Sequence, residues 1–214
     1  MLLSTAFLPP LSWFAAAAKD FTLSPDRVFP SVVRLEACEH FVKQSYRNRC
    51  RILTANGVEN LQVPVLHDEG LYRMPVTEVR VDYTVPWIPK MERALASAYE
   101  SAAFFEDYRD GLFSILESQP RTLWELNLRL ILFLLDRLHL AVDLQPTQVY
   151  EPEAAEDLRG AIHPKHPDTI LKDLALEKPY FQVFAGKYGF QPNLSVVDLL
   201  FNEGPDSILY LKNL

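Results

Sequence analysis

The sequence predicts an α/β or α+β fold built on a mixed β-sheet, and three observations lead to this. An apolar run at residues 2–8 has the composition of a strand that is buried on both faces. The dipeptide Asn56-Gly57 stands between two alternating runs and predicts a β-hairpin at about residues 47–65. Residues 88–140 repeat apolar side chains at helical spacing, which predicts a helical layer.

Length and composition indicate one globular domain over residues 1–214. A chain of 214 residues buries enough surface to fold without a metal or a disulfide. The net charge of −7 argues against non-specific nucleic-acid binding, so we predict no nucleic-acid partner. Cys38 and Cys50 have no metal-ligand spacing, and we interpret both as small buried hydrophobic residues. No metal site is predicted.

The first 20 residues allow two interpretations. The apolar run and its four alanines resemble a signal peptide, but the basic residues of such peptides are missing and Pro9-Pro10 interrupts the run. We favour a buried strand, then a tight turn and a short helix over residues 11–19. In α/β domains this arrangement places ligands at the carboxyl ends of strands, where Trp13 either lines a crevice or lies in the core. No other apolar run is long enough to span a membrane, so we predict no membrane insertion and a cytoplasmic location.

Two further runs, residues 31–38 and 76–83, alternate apolar and polar side chains, which predicts half-buried strands. Another strand is predicted at residues 144–150. Between these elements, Asn56-Gly57 favours a type I′ turn, because both central residues of that turn need positive φ. The resulting register pairs Ile52 with Leu61 and Cys50 with Val63 on the core side.

That register places Arg49 and Arg51 on the face opposite Cys50, and Arg47 joins them if the strand extends so far. Guanidinium groups about 7 Å apart along one strand face repel one another. A phosphate or carboxylate would relieve this repulsion through bidentate hydrogen bonds. The alternative is a solvated face, or ion pairs to Glu36 and Glu59.

Three helices are predicted within residues 88–140, and Thr122 with Glu125 forms a capping box at the start of the third. Asn127 lies inside that apolar helix and therefore needs a hydrogen-bond partner. Near the C-terminus, Asn193 or Ser195 caps a helix that ends at Gly204-Pro205, and a short last helix follows.

Chemistry-bearing motifs are sparse. Glycine-rich phosphate loops, nucleophile elbows and metal-binding motifs are absent from the sequence. The loop at residues 162–166 carries two histidines and a lysine, and is either functional or an ordinary surface loop. The candidate acid and base groups, which sequence spacing does not pair, are His40, His163, His166, Glu36, Asp198 and Glu203.

Three blocks resemble a known family. They are Leu8-Pro9-Pro10-Leu11-Ser12-Trp13; Tyr46-Arg47-Asn48-Arg49 with the later segment 61–65; and segments 180–184 and 190–205. Together they are similar to the WbqC-like family of bacterial proteins, in the short form typical of Bacteroidetes. The opening block departs from the family pattern because it lacks a glutamine. The resemblance implies O-antigen or other lipopolysaccharide biosynthesis, with a glycyl or aminoacyl transferase role suggested for the family.

From the residues and the resemblance together we expect a cytoplasmic transferase that acts on a phosphorylated or carboxylated small molecule. Arg47 and Arg49 would hold the anion, Asn48 would hydrogen-bond the donor and Lys43 would add charge. Asp198 or His40 would be the general base. The other expected substrate-binding residues are Trp13, Gln182, Asn193, Asn202 and Glu203. The alternative function is a non-catalytic binding or scaffold protein of a polysaccharide assembly. The sequence identifies no cofactor, and it is compatible with a homo-oligomer.

Overall fold

Two β-sheets and a layer of helices make up the part of the chain that this computed structural model describes, which is residues 1–20, 30–67, 69–166 and 168–213. Strands β1 (Leu2–Ser4), β2 (Ser31–Glu36) and β5 (Val142–Pro146) form a parallel sheet in the order β1-β2-β5. Strands β3 (Arg49–Thr54) and β4 (Gly57–Gln62) form an antiparallel hairpin. The predicted α/β class with mixed strand directions is confirmed.

Eight α-helices are described. The long ones are α2 (Ile88–Tyr99), α3 (Phe105–Glu117) and α4 (Leu123–Arg137), which form the predicted helical layer. The shorter ones are α1 (Leu11–Ala17), α5 (Ile170–Asp173), α6 (Ala185–Tyr188), α7 (Val196–Glu203) and α8 (Ser207–Leu211). No helix in the described ranges combines the length and the hydrophobicity that crossing a membrane requires.

The first strand is buried, as predicted, but it is shorter than residues 2–8. Leu2 and Leu3 are fully buried, and Leu3 pairs with Leu35 of β2. After Ser4 the chain leaves the sheet, and the Phe7 amide donates instead to the Tyr46 carbonyl. The three parallel strands therefore end together at one edge of the sheet, next to the segment that leads into the hairpin.

The hairpin register differs from the prediction by two residues. Thr54 pairs with Gly57, so Ala55 and Asn56 form the turn, and Cys50 faces Leu61. The predicted type I′ turn needs positive φ at both Asn56 and Gly57, and of these two residues only Gly57 has it, at 103°. The Thr54 hydroxyl organises this turn, because it donates to the Gly57 carbonyl at 3.0 Å and accepts from the Asn56 amide at 3.1 Å.

A shift of two residues leaves the faces of the hairpin unchanged, since side chains alternate with a period of two. Cys50 and Ile52 are buried, and Arg49 and Arg51 occupy the opposite face, as predicted. Arg47 does not extend that face. It lies in a single 3-10 turn at Tyr46–Asn48, where the backbone has not yet entered the strand, and its side chain is buried.

The predicted strand over residues 76–83 is wrong. Only isolated bridges form there, between Val65 and Val81 and between Arg80 and Thr122. The alternation reflects burial rather than a ladder, because Val79 and Val81 point into the core. The backbone bonds of residues 79–82 are divided between residues 64–66 on one side and residues 121–123 on the other. Strand β5 also begins two residues earlier than predicted and ends at Pro146.

Polar side chains position the long helices. Thr122 accepts from the Glu125 amide at 3.2 Å, which confirms the predicted N-cap of α4. Asn127 is fully buried, and its Nδ2 donates to the Arg47 carbonyl at 2.8 Å. The predicted partner of Asn127 is therefore structural, and it ties the helical layer to the start of the hairpin.

The predicted N-cap position of α7 is confirmed at Ser195, but neither Ser195 nor Asn193 caps this helix with its side chain. Ser195 occupies the N-cap position, yet its hydroxyl donates to the Leu8 carbonyl at 2.8 Å. Asn193 accepts from the Ser12 amide at 2.9 Å, so it caps α1, far away in sequence. The C-terminal end is as predicted: α7 stops at Gly204, whose φ of 54° suits glycine.

Gly204 also lies against an aromatic ring, since a Cβ atom there would be 2.5 Å from the Phe104 ring. We therefore expect Gly204→Ala to lower the free energy of unfolding by about 3 kcal/mol or more, from backbone strain and overpacking together. Gly70→Ala is the matched control: its φ is 79°, but nothing lies within 4 Å of the added Cβ. We expect that control to cost about 1 kcal/mol. Equal losses in urea unfolding would contradict the role of the Phe104 contact.

Candidate functional site

A cleft of about 730 Å³ opens at the carboxyl-terminal edge of the parallel sheet. We call it the sheet-edge cleft. Its polar lining residues are Glu39, His40, Arg47, Asp157, Arg159 and His163. The carboxyl ends of parallel strands are where open α/β sheets bind ligands. The cleft lies at this edge of the sheet, but no described residue of β1 or of the loop that follows β1 lines it.

The wall of the sheet-edge cleft contains a buried ion pair between Glu39 and Arg47. Arg47 donates from Nε to Glu39 Oε1 at 3.1 Å and from Nη2 to Oε2. The Ser4 hydroxyl, at the end of β1, donates to Glu39 Oε2 at 2.9 Å and accepts from Arg47 Nη2 at 3.1 Å. Burial raises the pKa of Glu39, and the Arg47 charge only partly opposes this. These hydrogen bonds hold the Arg47 guanidinium in one orientation.

A second arginine, Arg159, is held by carboxylates on the other side of the cleft. It donates to Glu36 Oε2 at 3.2 Å, to Asp157 Oδ1 at 2.9 Å and to the Glu151 carbonyl at 2.7 Å. Hydrogen bonds from Arg159 lower the pKa of Asp157. The Tyr150 ring lies 5.2 Å from the guanidinium carbon. This network joins the loops that follow β2 and β5.

Two histidines line the sheet-edge cleft, His40 and His163. Burial lowers the pKa of His163, and the neighbouring His166 acts in the same direction. The two rings are 5.0 Å apart between centroids. His163 Nδ1 accepts from the Lys165 amide at 3.2 Å, so neutral His163 carries its proton on Nε2. The loop at residues 162–166, for which the sequence allowed either a functional or a surface role, thus contributes His163 to the cleft.

Three other predicted residues, Lys43, Asn48 and Arg49, lie together but outside the sheet-edge cleft. They line a second depression of about 470 Å³ beside the β-hairpin, which we call the hairpin groove. Arg47 and Arg49 therefore do not share an anion site. Their side chains diverge because Arg47 turns inward to Glu39 before the strand begins, whereas Arg49 lies on the outer face of β3.

Asp198 lies apart from both depressions, at the centre of a buried cluster. Its carboxylate accepts from Tyr99 at 2.9 Å, Tyr180 at 2.8 Å and Gln182 at 2.8 Å, and the residue is 1% exposed. Burial raises its pKa to about 6, although the three donors oppose this. The general-base role of Asp198 stays a prediction, while the geometry is that of a structural centre. Gln182 belongs to the same cluster and also accepts from the Gln191 amide at 2.8 Å.

The remaining predicted residues are scattered as well. Trp13 is a core residue, 1% exposed, and its indole donates to the Ser4 carbonyl at 3.0 Å. Asn193 bonds Ser12 and Asp168. Asn202 Nδ2 donates to the Asp198 carbonyl at 2.7 Å, and Glu203 accepts from the Phe181 amide at 3.1 Å. These contacts connect segments of the fold. The expected contact of these four residues with a substrate stays a prediction.

Sequence reasoning missed Glu39, Asp157 and Arg159 as site residues. Glu39 is close in sequence to the three arginines, and this proximity could have indicated an ion pair. Spacing alone, however, does not decide which arginine pairs with Glu39. Arg159 is brought to the cleft by the loop after β5, far along the chain. Cys38 is half-buried and lines the cleft, so the expected burial holds fully only for Cys50. Among the described residues, no group of three or more His, Cys, Asp and Glu side chains is arranged to hold a metal ion.

Breaking the Glu39–Arg47 pair should be costly, because each residue alone would be a buried charge without a partner. We expect Glu39→Ala and Arg47→Ala each to lower the free energy of unfolding by about 3–5 kcal/mol. The double variant Glu39→Leu/Arg47→Met should cost much less than the sum of the two. The exposed pair Arg109–Glu106 is the control, and its alanine variants should change stability by about 0.5 kcal/mol or less. Additive losses at Glu39 and Arg47 would contradict the coupling.

Asp198 should make stability depend on pH. Its folded pKa of about 6 lies above the ordinary 3.8, so the folded state holds the proton more tightly than the unfolded state. Its favourable contribution is complete below about pH 4 and is lost as pH rises through about 6. Relative to Asp198→Asn, the wild type should lose about 3 kcal/mol of unfolding free energy between about pH 4 and about pH 7. Parallel curves for the two proteins in urea unfolding would contradict this.

Comparison with known proteins connects this geometry to a family. The model of the WbqC-like protein family matches residues 31–164. A protein of Mycobacterium tuberculosis (strain ATCC 25618 / H37Rv), described as uncharacterized protein Rv1507c, is 29% identical over 195 residues, covering 80% of this chain and 84% of that protein. No solved structure matches the chain. The family match spans well over half of the sequence and contains every residue that lines the sheet-edge cleft. The chain belongs to the WbqC-like protein family.

Proposed function

We propose that the sheet-edge cleft is the active site of a transferase, which moves a sugar or acyl group from an activated anionic donor to an amine or hydroxyl acceptor. The observation that supports this is the buried Glu39–Arg47 pair in the cleft wall, at the carboxyl ends of β1 and β2. A guanidinium held by a carboxylate is oriented before any ligand arrives, which lowers the cost of binding. The volume of about 730 Å³ is that of a small-molecule site.

Arg47 binds the phosphate or carboxylate of the donor in this proposal. Its bonds to Glu39 use Nε and Nη2, so Nη1 stays outside those bonds. Arg159 lies on the opposite wall, and its own donors are engaged by Asp157, Glu36 and the Glu151 carbonyl. Charge-assisted hydrogen bonds to a fixed guanidinium give both affinity and orientation.

His40 is the proposed general base. It removes a proton from the acceptor nitrogen or oxygen, whose lone pair then forms a bond to the carbonyl or anomeric carbon of the donor. The bond between that carbon and the phosphate oxygen breaks, and the phosphate leaves with the electron pair. Neutral His163, with its proton on Nε2, donates a hydrogen bond to a substrate oxygen. His40 is preferred to Asp198 for this step, because His40 lines the cleft and Asp198 does not.

The resemblance to the family supports a place in O-antigen or other cell-surface polysaccharide synthesis, with a glycyl, aminoacyl or sugar group as the group transferred. A cytoplasmic site of action follows from that proposal, since activated donors of this kind are made there. The relative in Mycobacterium tuberculosis is itself described as uncharacterized, so the reaction is proposed from the residues of the cleft and from the resemblance alone.

The test is a calorimetric titration of nucleotide sugars, combined with mass spectrometry of any small molecule that co-purifies. Arg47→Lys keeps a positive charge but loses the guanidinium fork, so we expect roughly tenfold weaker donor binding. His40→Ala should bind the donor normally and fail to turn it over when amine or hydroxyl acceptors are added. His139→Ala, an exposed histidine at the end of α4, is the control.

Unchanged donor affinity in Arg47→Lys would overturn the assignment of the anion site. Tight donor binding with no turnover by the wild type would instead favour the alternative function, a non-catalytic binding protein of a polysaccharide assembly. The two results are separable, because the first depends on affinity and the second on product formation.

A further inference from the structure

We propose that the hairpin groove is a second ligand site, separate from the sheet-edge cleft, which takes a compact anion with a neighbouring hydroxyl group. The groove has a volume of about 470 Å³ and lies between the outer face of the hairpin and residues 71–85. The inference does not depend on the transferase proposal, because no residue that lines the groove carries a role in that reaction.

Positive charge on the groove wall comes from Lys43 and Arg49. The Lys43 ammonium lies 4.3 Å from the centroid of the Tyr72 ring, and Tyr72 stacks on Phe41 at 6.3 Å. A cation held over an aromatic face keeps its position with little hydration lost. Arg49 is held by the backbone of β3, and its Nη2 makes a long contact of 3.4 Å with Gln62. Asp82 is the one carboxylate of the described residues that lines the groove, and its Oδ1 is engaged by Thr84.

Unpaired polar atoms are the second and independent observation. Asn48 is 3% exposed, and its Nδ2 donates to the Val63 carbonyl at 2.9 Å, which fixes the amide. Its Oδ1 is buried and has no partner among the described residues. Arg49 Nε is likewise buried and has no partner in the described part of the chain. Such atoms lose their hydration without gaining a hydrogen bond, and a ligand that supplies both bonds would recover that free energy.

These groups define the chemistry of the ligand. The Arg49 guanidinium and the Lys43 ammonium call for a phosphate or carboxylate. The Asn48 Oδ1 accepts, so the ligand also needs an O–H close to its anionic group. A sugar phosphate and a hydroxy acid share this chemistry, and the experiment below distinguishes them.

The two sites lie back to back across one short segment. His40 and Val42 line the sheet-edge cleft, whereas Phe41 and Lys43 line the hairpin groove. Successive side chains of this segment thus face alternate sides, and the segment is a shared wall. A ligand in the groove makes contacts that a ligand in the cleft cannot reach.

The test is calorimetric titration with inorganic phosphate, glucose 1-phosphate, lactate and propionate. We expect the wild type to bind glucose 1-phosphate more tightly than inorganic phosphate, or lactate more tightly than propionate, because only the first of each pair offers a hydroxyl to Asn48. Lys43→Met and Arg49→Met should each weaken the preferred ligand roughly tenfold or more. Arg109→Met, an exposed arginine on α3, is the matched control and should leave affinity unchanged.

Three results would overturn the proposal. They are no binding of any of these anions to the wild type, equal affinity of Arg49→Met and wild type, and weakened binding in Arg47→Lys with retention in Arg49→Met. The last would move the anion to the sheet-edge cleft. Both methionine variants change partly or fully exposed side chains, and thermal melts will confirm that they fold.

Discussion

The buried bond between Glu39 and Arg47 is the contact on which the centre of the structure depends. Two charges removed from water are tolerated only when each is fully bonded, and here the Ser4 hydroxyl contacts both. Ser4 ends β1, Glu39 follows β2, and Arg47 precedes β3, so one small cluster joins three elements. Asn127 of α4 then binds the Arg47 carbonyl and attaches the helical layer to the same point.

A fully hydrogen-bonded buried carboxylate also stabilises the opposite wall of the cleft. Glu36 is fully buried and accepts four hydrogen bonds, from the Cys38 amide, the Thr147 hydroxyl, the Glu151 amide and Arg159. These bonds connect the end of β2 to the loop that follows β5. Since both walls are anchored by an arginine–carboxylate pair, the shape of the sheet-edge cleft is set by contacts within the protein.

Asp198 shows a different solution to the burial of a carboxylate. Glu36 and Glu39 each face an arginine, whereas the Asp198 carboxylate is held only by neutral donors, Tyr99, Tyr180 and Gln182. Burial raises the pKa of Asp198 to about 6, and the three neutral donors oppose this only in part. Burial likewise raises the pKa of Glu39, where the opposing group is the Arg47 cation. Its role is to connect α2, α7 and the segment after residue 180.

Local pattern in the sequence was enough to predict the helical layer, the hairpin, the glycine that ends α7 and the face that Arg49 shares with Arg51. These features depend on periodicity and on backbone preference, which neighbouring residues determine. The turn at Thr54, the Arg47–Glu39 pair, the core position of Trp13 and the cap that Asn193 provides to α1 were decided only in the tertiary structure. The turn is a local choice between two adjacent positions, which the Thr54 hydroxyl decides. The other three depend on hydrogen-bond partners outside their own element, and such partners become available only once the chain has packed.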